Sequence, residues 1–176
     1  PSMSNCNDGI VVPDMPSWLR SKFGVKEDMP FRKIWISRRN STTRTIVNEN
    51  ILFDVVLKKR GWELLELEKL SLDQQLHYFA EANVVVAPHG AGLTNLIWCN
   101  PKTKVIEFQD KNMLSKKVYP VLAHHLGLIQ KTYTPDTIKI ELDKGKKPKG
   151  VKRMTDLINF KITNEELISI LSATKV

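Results

Sequence analysis

The stretch Ala82-Asn83-Val84-Val85-Val86-Ala87-Pro88-His89-Gly90-Ala91-Gly92-Leu93-Thr94-Asn95 limits the architecture of this chain more than any other. Val84 to Val86 are consecutive β-branched residues without polar alternation, which predicts a strand buried on both faces. Such strands belong to parallel sheets covered by helices. Gly90 and Gly92 carry no Cβ, so the backbone there can turn and come close to another group. Leu93 to Trp98 can then open a helix whose first N–H groups face the turn, an arrangement that attracts anions, typically phosphate. Glycine spacing alone leaves two readings open: an inert strand-to-helix corner and a phosphate-binding one.

The surrounding sequence supplies the rest of an α/β pattern. Pro13 to Arg20 predicts a short helix with Pro16 in its first turn, ended by Phe23-Gly24. Phe31 to Ser37 is the first clear strand, followed by a polar loop from Arg38 to Arg44. A helix starts at Val47 or Asn48 and runs to about Arg60. Ile51, Leu52, Val55 and Val56 form its apolar stripe, and Gly61 closes it. Trp62 to Leu67 is a second strand. Ser71-Leu72-Asp73-Gln74 is a capping box opening a helix whose core face is Leu72, Leu76, Phe79 and Ala80.

After the glycine turn and its short helix, Asn100-Pro101 breaks the chain. Thr103 to Phe108 is a fourth strand. Lys116 to Leu126 is a helix with Val118, Val121, Leu122 and Leu126 inside, closed by Gly127, and Leu128 to Tyr133 is a fifth strand. Ile138 to Leu142 reads as a short edge strand. Leu157 to Ile162 pairs or leads into a last helix opened by a second capping box, Thr163-Asn164-Glu165-Glu166, with Leu167, Ile168, Ile170 and Leu171 behind it. Strands alternating with helices predict right-handed βαβ crossovers and an α/β three-layer sandwich with a mainly parallel sheet. The organisation expected is a linker and short helix over 1–30, a core over 31–142, a basic loop over 143–154, and a strand and helix over 155–176.

With 176 residues, 41% hydrophobic and 26% charged, the chain is large enough for one domain with a real core. No apolar run reaches the length needed to span a bilayer. The start, Pro1 to Cys6, lacks a basic region followed by an apolar one, and the absent initiator Met suggests a fragment or a processed chain. Cys6 and Cys99 make neither a disulfide framework nor a metal site; Cys99, after Trp98, reads as a small buried hydrophobe. A net charge of +8 suits an anionic ligand. Much of the excess lies in Lys144, Lys146, Lys147, Lys149, Lys152 and Arg153, interrupted by Gly145, Pro148 and Gly150. That run is either a solvated loop or an electrostatic contact with an anionic membrane or polyanion, and without interleaved aromatics it is no specific nucleic-acid reader.

In open α/β sheets, ligands bind beyond the carboxyl ends of the strands. Three segments qualify: Arg38 to Arg44, His89 to Asn95, and Glu107 to Asp110. Arg38, Arg39 and Arg44 offer planar forks suited to phosphate oxygens, and opposite the glycine turn they would clamp a diphosphate. Glu49 complements a helix dipole or faces the same site. His89 at the tip of the turn is a structural hydrogen-bonder or a participant in chemistry. Asn95 reaches a ligand or satisfies local backbone. Glu107 ends an otherwise apolar strand, where a carboxylate is costly unless paired, and it can accept both hydroxyls of a ribose. No grouping has metal-ligand spacing, and neither a nucleophile elbow nor a P-loop lysine motif is present.

The blocks Ile34-Trp35-Ile36-Ser37-Arg38, Arg44 with Asn48-Glu49, Leu70-Ser71-Leu72-Asp73-Gln74-Gln75, Ala87 to Asn95, and Val105-Ile106-Glu107 together resemble glycosyltransferase family 61. The resemblance runs from about Pro13 to Thr134. It implies an inverting, generally metal-independent enzyme of the GT-B type, in which two Rossmann-like domains face each other and the C-terminal one holds the nucleotide sugar. This chain resembles that C-terminal half. The donor site implied is Arg38, Arg44, Asn48, His89, Gly90, Ala91, Gly92, Asn95 and Glu107, with Arg38 and Arg44 on the phosphates and Glu107 on the ribose. The donor implied is UDP-linked, no metal or other cofactor is required, and the acceptor is a glycan or glycoprotein. The resemblance further implies an N-terminal acceptor domain that 176 residues are too few to include, so the chain is expected to be a fragment, to rely on a partner, or to bind a donor without turnover. His89 and Glu49 are the candidates for a catalytic base. The compartment would be the Golgi or ER lumen for a eukaryotic secretory member and the cytoplasm for a bacterial or viral one. Two other readings stand beside this one. One is a non-catalytic nucleotide- or polyanion-binding module. The other is a dinucleotide oxidoreductase, disfavoured because Asn95 replaces the third glycine of its fingerprint.

Overall fold

Five short β-rich segments assemble into one parallel sheet in the computed structural model, which describes residues 14–25, 29–115, 117–140 and 157–176. The strands are β1 (Arg32–Ile36), β2 (Trp62–Leu65), β3 (Ala82–Pro88), β4 (Lys104–Phe108) and β5 (Ile129–Tyr133). Their order across the sheet is β2-β1-β3-β4-β5. All four neighbouring pairs run parallel, with Trp35 opposite Leu64 and Val86, and Glu107 opposite Ala87 and Thr132. The expected fold class, an α/β Rossmann-like sandwich with a parallel sheet, is the observed one.

Pleating divides the apolar residues between two layers. Ile34, Ile36, Val85, Ala87 and Val105 face one cluster, and Trp35, Val84, Val86, Ile106 and Phe108 face the other. The first cluster is covered by α1 (Met15–Lys22), α3 (Leu72–Ala80), a 3₁₀ helix Ala91–Trp98 and α4 (Val118–His125). The second is covered by α5 (Asn164–Ala173) and by a helical segment that begins as α2 (Glu49–Leu52). A separate antiparallel pair, β6 (Asp136–Lys139) with β7 (Ile158–Lys161), lies on this second side. Phe160 of β7 bridges to Ile46, and the Arg44 N–H donates to the Ile158 carbonyl at 2.6 Å, so the hairpin carries the loop that follows β1.

Both capping boxes form: Ser71 with Gln74 and Thr163 with Glu166 exchange side-chain and backbone hydrogen bonds. Gly61 and Gly127 adopt the left-handed conformation expected after a helical segment. Arg20 of α1 donates to the carbonyls of Trp98 and Cys99 and to Asn100 Oδ1, tying the N-terminal helix to the end of the 3₁₀ helix. Cys99 is buried, and burial pushes its thiol upward, so it behaves as a small hydrophobe.

Three local expectations change. After Leu52 the helix widens into a π turn over Phe53–Leu57 and tightens to 3₁₀ over Lys58–Arg60. Its buried side is Leu52, Val56 and Leu57, while Ile51 and Val55 face solvent. Leu72, the first residue of α3, is exposed, and the core contact begins at Leu76. On α4 the deepest residues are Tyr119, Leu122 and Ala123. The N-terminal stretch with Cys6, the Lys144–Arg153 run and the last residues of the expected edge strand lie outside the described residues.

Candidate functional site

The strand order places a topological switch point between β1 and β3. The connection from β1 leads outward to β2, and the one from β2 returns past β1 to β3 on the opposite face. Loops leaving β1 and β3 in opposite directions open a crevice at their carboxyl ends, where ligands of such sheets sit. Arg38 and Arg44 follow β1, and His89 and Gly90 follow β3.

Gly90 adopts an ordinary extended conformation, so left-handed freedom is not what it supplies. Its lack of a side chain is. A Cβ there would run into the Arg38 guanidinium, lying 3.0 Å from Cζ and closer still to Nη1. A Cβ on Gly92 would lie 2.9 Å from Leu67 Cδ1 and 3.3 Å from Ile36 Cγ2. The glycine turn is therefore a bed for an arginine from the neighbouring loop. Arg44 itself has φ of 57°, a left-handed backbone that costs an ordinary residue roughly 1 kcal/mol. The bonds joining residues 44–47 to β7 hold it there.

Neither guanidinium meets an acceptor. Among the described residues, Nε of Arg38 and Nε of Arg44 are buried without a hydrogen-bond partner, and neither side chain forms an ion pair. Burial, and then the like charge of Arg44, push the Arg38 guanidinium down to about 10. Tyr119 and Glu68 act on Arg38 in the opposite sense, and two partly desolvated guanidiniums without an ion pair among the described residues are chemically suited to an anion. Arg39 stands apart: its Nε donates to Ser37 Oγ and to Glu49 Oε2, both at 3.2 Å.

Tyr119 reaches the same place from α4. It interacts electrostatically with Arg38, Arg44 and Glu107, and the Thr94 side chain partly offsets the upward shift of its phenol. Burial above all raises the phenol, so it remains a neutral O–H donor in the working range. Its ring stands edge-on to His89 at 5.2 Å. His89 Nδ1 lies 2.5 Å from Glu107 Oε1, and Glu107 Oε2 accepts from Gln130 Nε2 at 2.7 Å and Thr132 Oγ1 at 3.4 Å.

The remaining sequence candidates have other partners. Glu49 is buried and accepts from Trp35 Nε1 at 2.8 Å and Ser37 Oγ at 2.5 Å, besides Arg39. The Asn48 amide donates to the Ile162 carbonyl at 2.6 Å, fastening α2 to the segment before α5. The Asn95 amide donates to Gln75 Oε1 at 2.9 Å, fastening the 3₁₀ helix to α3. Ala91 begins that helix and is exposed. The structure thus brings Arg38, Arg44, His89 and Gly90 together, with Glu107 behind His89, and ties Asn48, Asn95 and Glu49 into the fold. The sequence reading missed Tyr119 and Thr94. The available signal was a tyrosine inside an apolar helix, whose buried hydroxyl requires a partner.

A cleft of about 90 Å³ opens at this crevice, bordered by Ser37, Arg38, Ser41, Glu68, Pro88 and Gly92, so one carboxylate shares it with the arginine. A larger cavity of about 460 Å³ lies beyond β5, between Tyr133, Pro135, Glu165, Glu166 and Ile170. Its ionisable groups are carboxylates, so it is not the anion seat. Among the described residues no group of three or more His, Cys, Asp or Glu could hold a metal ion, and no helix is long and apolar enough to cross a membrane.

The model of the glycosyltransferase 61 family matches residues 1–106, which includes the arginine loop and the glycine turn. A β-1,2-xylosyltransferase of rice (RCN11, Oryza sativa subsp. japonica) is 32% identical over 90 residues. That match covers 51% of this chain and 14% of the rice protein, so the chain spans only a small part of its relative's length.

Proposed function

The chain belongs to the glycosyltransferase 61 family, and on that premise we propose that it forms the donor-binding part of an inverting, metal-independent sugar transferase using a UDP-linked sugar. The observation that carries this reading is the pair Arg38 and Arg44, half-buried, each with its Nε enclosed and without a hydrogen-bond partner among the described residues. In the reaction, an acceptor hydroxyl oxygen attacks the anomeric carbon and the bond from that carbon to the diphosphate breaks. The electron pair leaves on the diphosphate oxygen, and the hydroxyl proton passes to a base. Negative charge grows on the leaving group, and preorganised donors aimed at it lower the barrier. Arg38, Arg44 and the Tyr119 hydroxyl are such donors here. The rice relative is named a xylosyltransferase, which makes a pentose one donor sugar to test.

The cleft of about 90 Å³ is well below the ~300–1,000 Å³ of complete ligand pockets. In this reading the arginine edge holds the diphosphate, and a facing domain covers the sugar and supplies the acceptor site. Glu49 already accepts from three protein donors, so the base is assigned to that facing domain.

Calorimetry on the full-length protein tests the proposal with UDP, UDP-xylose, uridine and NADH. UDP and the sugar nucleotide should bind, uridine should bind far more weakly, and NADH not at all. Arg44→Gln should weaken UDP by roughly 10–100-fold, the range for hydrogen bonds to charged groups. Folded protein that gives no heat with UDP or UDP-xylose, or a preference for NADH, would overturn it.

A further inference from the structure

Glu107 occupies the position at which a strand-end carboxylate would be expected to hold a ribose, yet its geometry is that of a group facing inward. It has no accessible surface. One oxygen meets His89 Nδ1 and the other accepts from Gln130 and Thr132. Both latter contacts come from β5. The parallel register sets Thr132 opposite Glu107, and Gln130, two residues earlier, shares its face. A ribose could reach this carboxylate only by breaking those contacts. His89 differs: its side chain keeps 11% of its surface open, and Nε2 has no hydrogen-bond partner among the described residues.

We propose that Glu107 is a positioning residue that acts on the donor through His89. A carboxylate only accepts, so it keeps a proton on Nδ1 and fixes the plane of the ring. Nε2 is thereby presented beside Arg38 and Arg44 as a further contact for the diphosphate. The other groups around the ring agree with this placement. Tyr119 of α4 stacks edge-on against it, Gly90, the next residue in the chain, lies under the Arg38 guanidinium, and the Gln109 amide, 3.5 Å from Nδ1, directs its donation to the Met113 carbonyl at 3.0 Å, which leaves Nδ1 to Glu107. Glu107 is the carboxylate in contact with the ring, and Tyr119, which packs on the ring, feels the charges of Arg38, Arg44 and Glu107. This inference rests on the donor-binding reading, but part of its test does not.

Nitrogen-15 spectra of the imidazole rings in the unliganded full-length protein should show His89 protonated at Nδ1. Addition of UDP should shift Nε2 while the Nδ1 bond persists. A bare Nδ1 contradicts the inference whether or not UDP binds, and an unmoved Nε2 with UDP bound contradicts it as well. If UDP does not bind at all, the donor reading fails while the Nδ1 result still tests the Glu107 contact. A double-mutant cycle supplies the second arm. Glu107→Gln should weaken UDP roughly tenfold and leave uridine unchanged. The same change in a His89→Asn background should add little, because the two residues act as one unit. Equal losses for UDP and uridine, or full additivity with His89→Asn, would identify a direct ribose contact instead.

Discussion

Arginines near the sheet edges fall into two groups by what they touch. Arg32 meets Glu63 and Glu81, and Arg39 meets Glu49; Arg38 and Arg44 meet no acceptor among the described residues. For Arg38 the folded environment disfavours the charged form, with the guanidinium pushed down to about 10. A base lowered on folding destabilises the fold wherever it is charged in both states, so the penalty is fully present below about pH 10 and fades as pH rises beyond it. Arg38→Gln should therefore leave the melting temperature of the unliganded protein unchanged or higher. The same variant should lose roughly 10–100-fold in UDP affinity, and paired scanning fluorimetry and calorimetry check both halves. Gly90→Ala should weaken UDP in the same titration by displacing the Arg38 guanidinium, which leaves no room for a Cβ. At this scale the sequence made Arg38, Arg44, His89 and Gly90 legible as candidates, because each lies in the loop that leaves a recognisable strand. It did not reveal that Glu107 is enclosed by Gln130 and Thr132, since cross-strand register is not written in local spacing. Tyr119 was hidden for a related reason: its partner Thr94 is 25 positions away and on another element.

Elements were most legible where side chains bond to their own backbone. The capping boxes at Ser71 and Thr163 were visible as four-residue patterns and form as such. Ser71→Ala and Thr163→Ala should each cost about 1 kcal/mol in denaturant unfolding. The helix after Glu49 shows where periodicity misleads. Ile51-Leu52 and Val55-Val56 are two adjacent pairs, and a 3.6-residue repeat does not say which member faces inward. The π turn over Phe53–Leu57 adds a residue to one turn and brings Leu57 into the core, leaving Ile51 60% and Val55 59% exposed. Leu52→Ala should thus cost about 2–5 kcal/mol, whereas Ile51→Ala should stay within about 0.5 kcal/mol. Leu72 was misplaced because a first helical residue can satisfy the apolar pattern while lying beyond the sheet it should cover.

For the whole molecule, alternation of strands and helices was enough to give the fold class, while the rule that ligands gather at strand carboxyl ends nominated the edge at which the arginine loop and the glycine turn meet. The order β2-β1-β3-β4-β5 adds what alternation could not, the position of the reversal between β1 and β3. It also explains why the arginine loop and the glycine turn, some 50 positions apart in the sequence, converge on one crevice. The family match places the chain in the glycosyltransferase 61 family, and the rice protein it resembles over 90 residues is named a xylosyltransferase. The most direct test of the central claim is a crystal structure of the full-length protein with UDP. The account predicts diphosphate oxygens within hydrogen-bond distance of both the Arg38 and Arg44 guanidinium groups, above Gly90. Clear density for UDP elsewhere, such as the cavity between Tyr133 and Glu165, with the two arginines still unpaired, would contradict it.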